Sequence, residues 1–500
     1  MDEPVGGLEQ ILRVRREKRD KLAEQGWRPY PNGLEVTHRS SEVRAGGEAP
    51  GEVPEGAVRF RLGGRLLSIR GMGKAVFADL WDRDGKIQIQ VRKDLVGEEV
   101  FARSKLLDIG DLVVVEGPRF TTRRGELTIQ VEKIELATKS MHPLPDKHAG
   151  LQDVEQRYRQ RYVDLIVNRD VRTAFERRIA MIKGIRDFLD QRRFLEVETP
   201  ILHELLTGAA ARPFKTHHNA LDMALFCRIA PELHLKRLIV GGLERVYEIG
   251  RSFRNEGLST RHNPEFTMLE FYMAFATYED LMWLTEEMLS EVSERVTGST
   301  QLPFGGWNEG ETPITLDLAG PYPRIPVLDG ILDKRPGLDI ADPEAVGSEL
   351  KQLHVEAPEG TPLGKLQMEL FEALWEAELV QPTFVVDFPT AVSPLARKKD
   401  SNPELTDRFE LYVGGRELAN GFSELNDPED QRARFDDQLE AKRRGDEDAM
   451  DADEDYCHAL EIGMPPTAGE GIGIDRLAMI LTNAPSIRDV ILFPLLRKLT

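Results

Sequence analysis

The chain has 500 residues, more than one hydrophobic core usually organises, so two or three domains are expected. Apolar residues make up 40%, but no run of 18 occurs and residues 1–26 are charged, which argues against a membrane span or a secretory signal. The two cysteines, Cys227 and Cys457, lack local partners, so a reducing cytoplasm is expected and a disulfide or zinc framework is not; the net charge of −20 is uneven, with 26 Lys+Arg against 24 Asp+Glu in residues 1–150 and 40 against 62 in residues 151–500.

Phosphate affinity needs local positive charge rather than a positive total, so a polyanion is expected on the first third. Residues 8–24 read as a charged helix with Leu8, Ile11, Leu12 and Leu22 as a thin apolar face and Arg13, Arg15, Arg16, Lys18, Arg19 and Lys21 around it. The Gly/Pro/Glu-rich stretch 46–56 reads as an exposed loop. Strands are predicted at residues 59–70, 74–81, 86–92, 111–120 and 126–136, with a turn at Asp84-Gly85 and a helix over 94–107. Three strands, a helix and two more strands is the order of a five-stranded OB-fold barrel, a scaffold that often stacks single-stranded bases on aromatics.

A Pro/Gly-bearing connector follows at 141–151. Residues 171–193 read as a long amphipathic helix, with Phe175, Ile179, Ile182 and Phe188/Leu189 at helical spacing. Predicted strands at 246–254, 266–275, 383–388, 409–413 and 416–423 include consecutive strands without intervening helices. That order favours an α+β domain with an antiparallel sheet. The expected division is a basic helix and loop (1–57), the OB barrel (58–140), a linker (141–156) and the α+β domain (157–500).

Charge and chemistry concentrate in three places. In the first, Arg254 leaves a strand and enters the loop Asn255-Glu256-Gly257, and His262-Asn263-Pro264-Glu265-Phe266 leads into the next strand. Period-two alternation puts Met268, Glu270 and Tyr272 on one face of that strand. A carboxylate and a phenol there are costly to bury without partners. In the second, a two-residue turn at Gly414-Gly415 sets Tyr412 opposite Glu417, with Glu410 diagonal to it, a spacing at which two carboxylates can share a hard cation such as Mg²⁺. Asn420, Phe422 and Glu424 fall on the opposite parity. Either a bulge near Ala419 rotates the strand or the two sets face different ways. In the third, Gly471-Ile472-Gly473-Ile474-Asp475-Arg476 puts Arg476 where a glycine-alternating strand meets a helix, and a guidinium there can reach a phosphate.

In this order the three stretches resemble the motifs of class II aminoacyl-tRNA synthetases, with residues 193–200 (RFLEVETP) resembling the first, dimer-interface motif. Residues 208–221 (GAAARPFKTHHNAL), 228–236 (RIAPELHLK), 419–431 (ANGFSELNDPEDQ) and 157–165 (RYRQRYVDL) resemble the lysyl type. The resemblance covers residues 58–497. It implies ATP-dependent ligation of L-lysine to tRNA(Lys) through a lysyl-adenylate, by a homodimer with Mg²⁺.

Carried over by position, it assigns Arg254 to the ATP α-phosphate and Arg476 to the γ-phosphate. Phe266 is to stack on adenine, with Glu256, His262 and Asn263 around the nucleotide. Glu410 and Glu417 correspond to the metal ligands. Gly208 and Glu232 are to hold the lysine α-ammonium; Glu270, Tyr272 and Glu424 are to surround the ε-ammonium, with Asn420 and Phe422 shaping the pocket. In the barrel, Phe77 and Gln88 correspond to anticodon-reading positions, with Arg70 and Glu126 as neighbours. The chain departs from the family's pattern at Thr207, His234, Ile462, Ala468 and Glu470. The competing readings are a paralogue that charges a protein lysine, a tRNA-binding regulatory protein with weakened catalysis, and side synthesis of diadenosine polyphosphates.

Overall fold

The computed structural model describes residues 7–46, 51–145, 150–208, 211–308, 310–358, 360–443 and 450–498. Parts of the predicted loop at 46–56 and connector at 141–151, and Ala209 and Ala210 of the alanine run, lie outside the described residues. The chain divides into two compact units, residues 1–157 with 162–168, and residues 158–161 with 169–500.

In the first unit, β1 (Arg59–Met72), β2 (Ala75–Asp82), β3 (Gly85–Arg92), β4 (Leu112–Thr121), β5 (Leu127–Val131) and β6 (Lys133–Thr138) close into the expected OB barrel. β1 is long enough to serve two partners. Its first half pairs with β4 and its second with β2, and an irregularity between Leu66 and Ser68 turns the strand between them. Gly64 lies at that corner; a Cβ there would meet the Trp81 carbonyl oxygen at 2.5 Å, so the corner requires glycine. β5 and β6 are one barrel strand interrupted at Glu132, and β3 pairs with β5 in parallel. Alternation fills the interior with Leu62, Leu66, Val76, Ala78, Leu80, Ile87, Ile89 and Val91.

Three sequence readings shift here. Asp82 pairs with Gly85, so the β2–β3 turn is Arg83-Asp84, one residue earlier than predicted. The helix expected over 94–107 is two short pieces, Lys93–Val96 and Glu98–Ser104, because Gly97 takes φ 82° between them. The helix Gly7–Glu24 forms, but Leu8 and Ile11 of its expected apolar face are exposed, and Leu22 and Arg15 are the buried residues. Arg15 donates to the carbonyls of Ser140, His142 and Ile109, so one of its basic residues is an anchor rather than a solvated charge.

The second unit is built on an eight-stranded sheet. Its strands are β7 (Leu195–Glu196), β8 (Arg245–Phe253), β9 (Glu265–Ala274), β10 (Arg324–Pro326), β11 (Thr383–Val386), β12 (Arg408–Tyr412), β13 (Glu417–Ser423) and β14 (Thr467–Gly473), in the order β10-β11-β12-β13-β14-β9-β8-β7. The six central strands are antiparallel and the two edge pairings parallel. Helices Arg169–Gln191, Tyr278–Thr297 and Ile474–Thr482 bury their apolar faces with the sheet in one core. The helix predicted over 171–193 buries Phe175, Phe188 and Leu189, whereas Ile179 is 68% exposed. Phe194, expected at a subunit interface, instead packs edge-on against Phe271 in the chain's own core, while Leu195 and Ile201 beside it are exposed.

Candidate active site

The site lies along β9, β14 and β13. Alternate residues of β9, Phe266, Met268, Glu270 and Tyr272, line a cavity, while Leu269 and Phe271 between them enter the core. Across the cavity floor, β14 sets Gly471 between Glu270 and Asn420, and Gly469 between Tyr272 and Phe422. A Cβ at Gly469 would meet Tyr272 Cε1 at 2.2 Å and Glu424 Oε1 at 2.3 Å, so these glycines create the space. The cavity measures about 1070 Å³ including its open mouth, room for a nucleotide with a second small molecule.

On β13, the glycines of the turn take φ 65° and 67°, and Tyr412 pairs with Glu417. An irregularity then shifts the register so that Leu411 faces Ala419 and Glu410 faces Asn420. Leu418 is the extra residue. The bulge resolves the parity question: it brings Glu417, Asn420 and Phe422 together on the cavity wall.

One end of the cavity is cationic. Arg254 continues the β8–β9 pairing by donating its N–H to the Pro264 carbonyl at 2.9 Å, and its guanidinium stands 5.2 Å from the Phe266 ring centre. Arg476, in the first turn of helix Ile474–Thr482, donates to the Glu417 carbonyl at 2.5 Å. Its neighbour Asp475 is buried, accepts from the Thr267 N–H at 2.7 Å and pairs with Arg178 at 2.6 Å, which fixes the helix start against β9. Arg261 lines the cavity too, and Arg416 stands close enough to Arg261 and Arg476 that burial first, then these like charges, lower its pKa. Burial, then Arg476, likewise lower the pKa of His262, which favours its neutral form. Glu256 and Asn263 complete this wall, and Asn263 Nδ2 donates to the Glu265 carbonyl.

The other end is acidic. Glu232, at the start of helix Glu232–Val240, lines it with Gly208, Glu270 and Tyr272. Tyr272 Oη donates to Glu270 at 3.3 Å, yet burial, then Glu232, push the Glu270 carboxyl up to about 8. Glu424 is nearly completely buried and stands behind the wall under Gly469 and Tyr272 rather than on it. It pairs with Lys236, which also donates to Glu232 at 2.7 Å. Sequence reading assigned Lys236 no role, and it missed Arg228, whose guanidinium is buried against Glu248 at 2.6 Å. A lone lysine or arginine in a helix or strand reads as a solvated charge; only the fold buries it.

Of the two expected metal ligands, Glu417 lies on the cavity wall, and Glu410 lies beside it, off the wall. Glu410 accepts from Arg408 at 2.6 Å and from Tyr412 Oη at 2.9 Å; burial chiefly, with Glu417 adding, raises its carboxyl to about 7 against the opposing Arg408. Among the described residues no three His, Cys, Asp or Glu side chains converge as a metal cage. Two mutually repelling carboxylates fit a hard cation that takes its other ligands from phosphate and water.

Glu470, one of the departures, is buried with Thr285 Oγ1 donating to it at 2.7 Å, and its Oε1 has no hydrogen-bond partner. Burial holds its carboxyl protonated well above the ordinary range. The folded state therefore binds this proton more tightly than the unfolded chain, and its contribution to stability falls as pH rises above the unfolded value of about 4.3. Glu470→Gln is expected to raise the melting temperature at pH 8 and leave it nearly unchanged at pH 4. Calorimetric melts that show the same difference at both values would contradict this.

Residues 153–497 match the family of class II tRNA synthetases (D, K and N), and residues 60–137 match the OB-fold nucleic acid binding domain. The chain is 52% identical to a protein named lysine–tRNA ligase of Coxiella burnetii (strain Dugway 5J108-111) over 494 residues, 98% of this chain and 97% of the relative. It is 52% identical to the protein of that name from Thioalkalivibrio sulfidiphilus, covering 97% of each chain, and 51% identical to that of Carboxydothermus hydrogenoformans, covering 98% of each. With motif residues, sheet and full-length relatives in agreement, the chain belongs to the class II tRNA synthetases of the aspartyl, lysyl and asparaginyl group.

Proposed function

We propose that the protein is a lysine–tRNA ligase that forms lysyl-adenylate from L-lysine and ATP and transfers the lysyl group to tRNA(Lys). The observation that carries this reading is the polarity of one cavity, with arginines at one end and buried carboxylates at the other. An amino acid with two ammonium groups suits the acidic end, and a triphosphate suits the cationic end.

In this reading Phe266 stacks on adenine, with Glu256, His262 and Asn263 around the nucleotide, Arg254 on the α-phosphate and Arg476 on the γ-phosphate. Glu232 and Gly208 hold the α-ammonium, and Glu270 with Tyr272 meets the ε-ammonium, while Asn420 and Phe422 bound the chain. The lysine carboxylate attacks the α-phosphorus, the bond to the β-phosphate oxygen breaks, and diphosphate leaves. Arg254 neutralises charge that grows on the α-phosphate, so catalysis is positioning and electrostatics, without a nucleophilic side chain. Glu410 and Glu417 would hold Mg²⁺, which supplies further charge neutralisation on the phosphates. A terminal ribose hydroxyl of tRNA then displaces AMP from the adenylate.

The barrel is the proposed anticodon reader. Arg70 pairs opposite Phe77, and Asp79 opposite Gln88, on the barrel face away from the core. Gln88 accepts from Thr128 at 3.0 Å, and Glu126 lies 3.5 Å from Lys86 at the rim. Phe77→Ala is expected to lower kcat/KM for tRNA by ~10-fold or more, because base stacking contributes about 1–3 kcal/mol, while lysine-dependent ATP–pyrophosphate exchange persists. Equal losses in both reactions would contradict the assignment. The homodimer is proposed on exposed Ile179, Leu195 and Ile201, an apolar set beside the first motif. Among the described residues no helix is long and apolar enough to cross a membrane; the proposed location is the cytoplasm, where the three substrates meet. Transfer of labelled lysine to tRNA(Lys) tests the reading, and failure to charge tRNA with active, folded protein would refute it.

A further inference from the structure

Lys236 is completely buried, in the fifth position of helix Glu232–Val240. Its ammonium pairs with Glu232, one turn earlier, and with Glu424 from beyond β13. Phe422 and Tyr456 stand over it, their ring centres 5.6 and 5.7 Å away. A buried charge in such a setting is costly unless paired, so this cation persists for the carboxylates it faces.

Glu232, Glu270 and Glu424 act on one another electrostatically. Arg228 and Glu248 cancel as a pair, and Tyr272 and Tyr456 are neutral phenols whose pKa values are raised, chiefly by burial. With all three carboxylates ionised, as when Glu270 gives up its proton on binding, the one resident ammonium leaves two negative charges unmatched. An α-ammonium and an ε-ammonium would match both; a neutral amino acid would leave one carboxylate unmatched in a dry site.

We propose that Lys236 is a positioning residue, a resident counter-cation that holds Glu424 and Glu232 by ion pairing and so sets the acidic end to select an amino acid carrying two ammonium groups. This rests on the reading of the cavity as a lysine site. Lys236 acts through the carboxylates and touches no substrate.

The test is lysine binding to the full chain, with ATP present as a non-hydrolysable analogue, by calorimetry at pH 7 in two buffers of different ionisation heat. The difference between buffers counts protons released. Burial pushes the Glu424 carboxyl well above the ordinary range, and the Lys236 ammonium paired with it opposes this; on the proposal that pair is ionic in the wild type, so only Glu270, raised to about 8 by burial, gives up a proton, and the count is at most about one. Release of about two by the wild type overturns the proposal without any variant. In Lys236→Met, Glu424 takes up a proton in the empty site, so the count rises by about one and lysine KM in the exchange reaction rises at least ~10-fold, with KM for ATP as the internal control. Lys236→Arg keeps the charge and restores the wild-type count. A folded Lys236→Met with unchanged count and lysine KM would leave Lys236 as packing only and refute the proposal. Absence of lysine binding by the wild type would instead refute the lysine reading beneath it.

Discussion

Glu270→Gln is expected to raise KM for lysine on the order of 10²–10³-fold, because removing one member of a buried charge pair costs about 3–5 kcal/mol. Glu270 lines the acidic end of the cavity, and its nearest partner is a phenol rather than a cation. In the proposed reading the substrate supplies its countercharge. The pH dependence follows from the same residue. With its carboxyl pushed up to about 8, the empty site is largely protonated at pH 7, and kcat/KM for lysine should rise as pH increases through about 8. The lysine ε-ammonium keeps its proton across this range, with an ordinary pKa of about 10.4. In the glutamine variant the rising limb should vanish. Lysine KM and its pH profile that are both unchanged would remove Glu270 from the pocket assignment.

Arg254→Lys should lower kcat of adenylate formation by ~10²–10³-fold, with a much smaller change in KM for lysine. The guanidinium is planar, stands over Phe266 and offers a fork of donors that an ammonium cannot reproduce. Its Nε is buried without a hydrogen-bond partner. Single-turnover formation of adenylate separates this loss from slow product release. A variant that forms adenylate at the wild-type rate would place the α-phosphate elsewhere.

The parts of this architecture with strong local signals were legible in the sequence. Period-two alternation located β9 and named its cavity face, because a strand half in the core must alternate. Paired glycines located the β12–β13 turn, because two consecutive residues at φ near 65° exclude most side chains. The bulge at Leu418 was less legible: nothing in the run Glu417-Leu418-Ala419-Asn420 says which residue is extra until β14 fixes the register of β13. Local pattern also overstated continuity over residues 94–107, where Gly97 interrupts the helix.

Buried charge was the main thing hidden. Lys236, Arg228, Glu248 and Asp475 all lie in the interior, each held by a partner distant in sequence except the one-turn pair with Glu232. Such pairings are decided by tertiary contact, and single residues carry no trace of them. The same limit applies to Glu424. Its position in the chain suggests a pocket residue, whereas its place under Gly469 and its pairing with Lys236 depend on how β13 and β14 meet.

In the proposed reading one cavity joins an acidic amino-acid end to a cationic nucleotide end with selectivity for lysine. ATP–pyrophosphate exchange with each of the twenty standard amino acids, with and without tRNA, tests it most directly. Exchange with lysine is expected at least ~10²-fold above any amino acid lacking a second ammonium, since an unmatched buried carboxylate costs at least about 3 kcal/mol, with no requirement for tRNA. Comparable exchange with a neutral amino acid would contradict it.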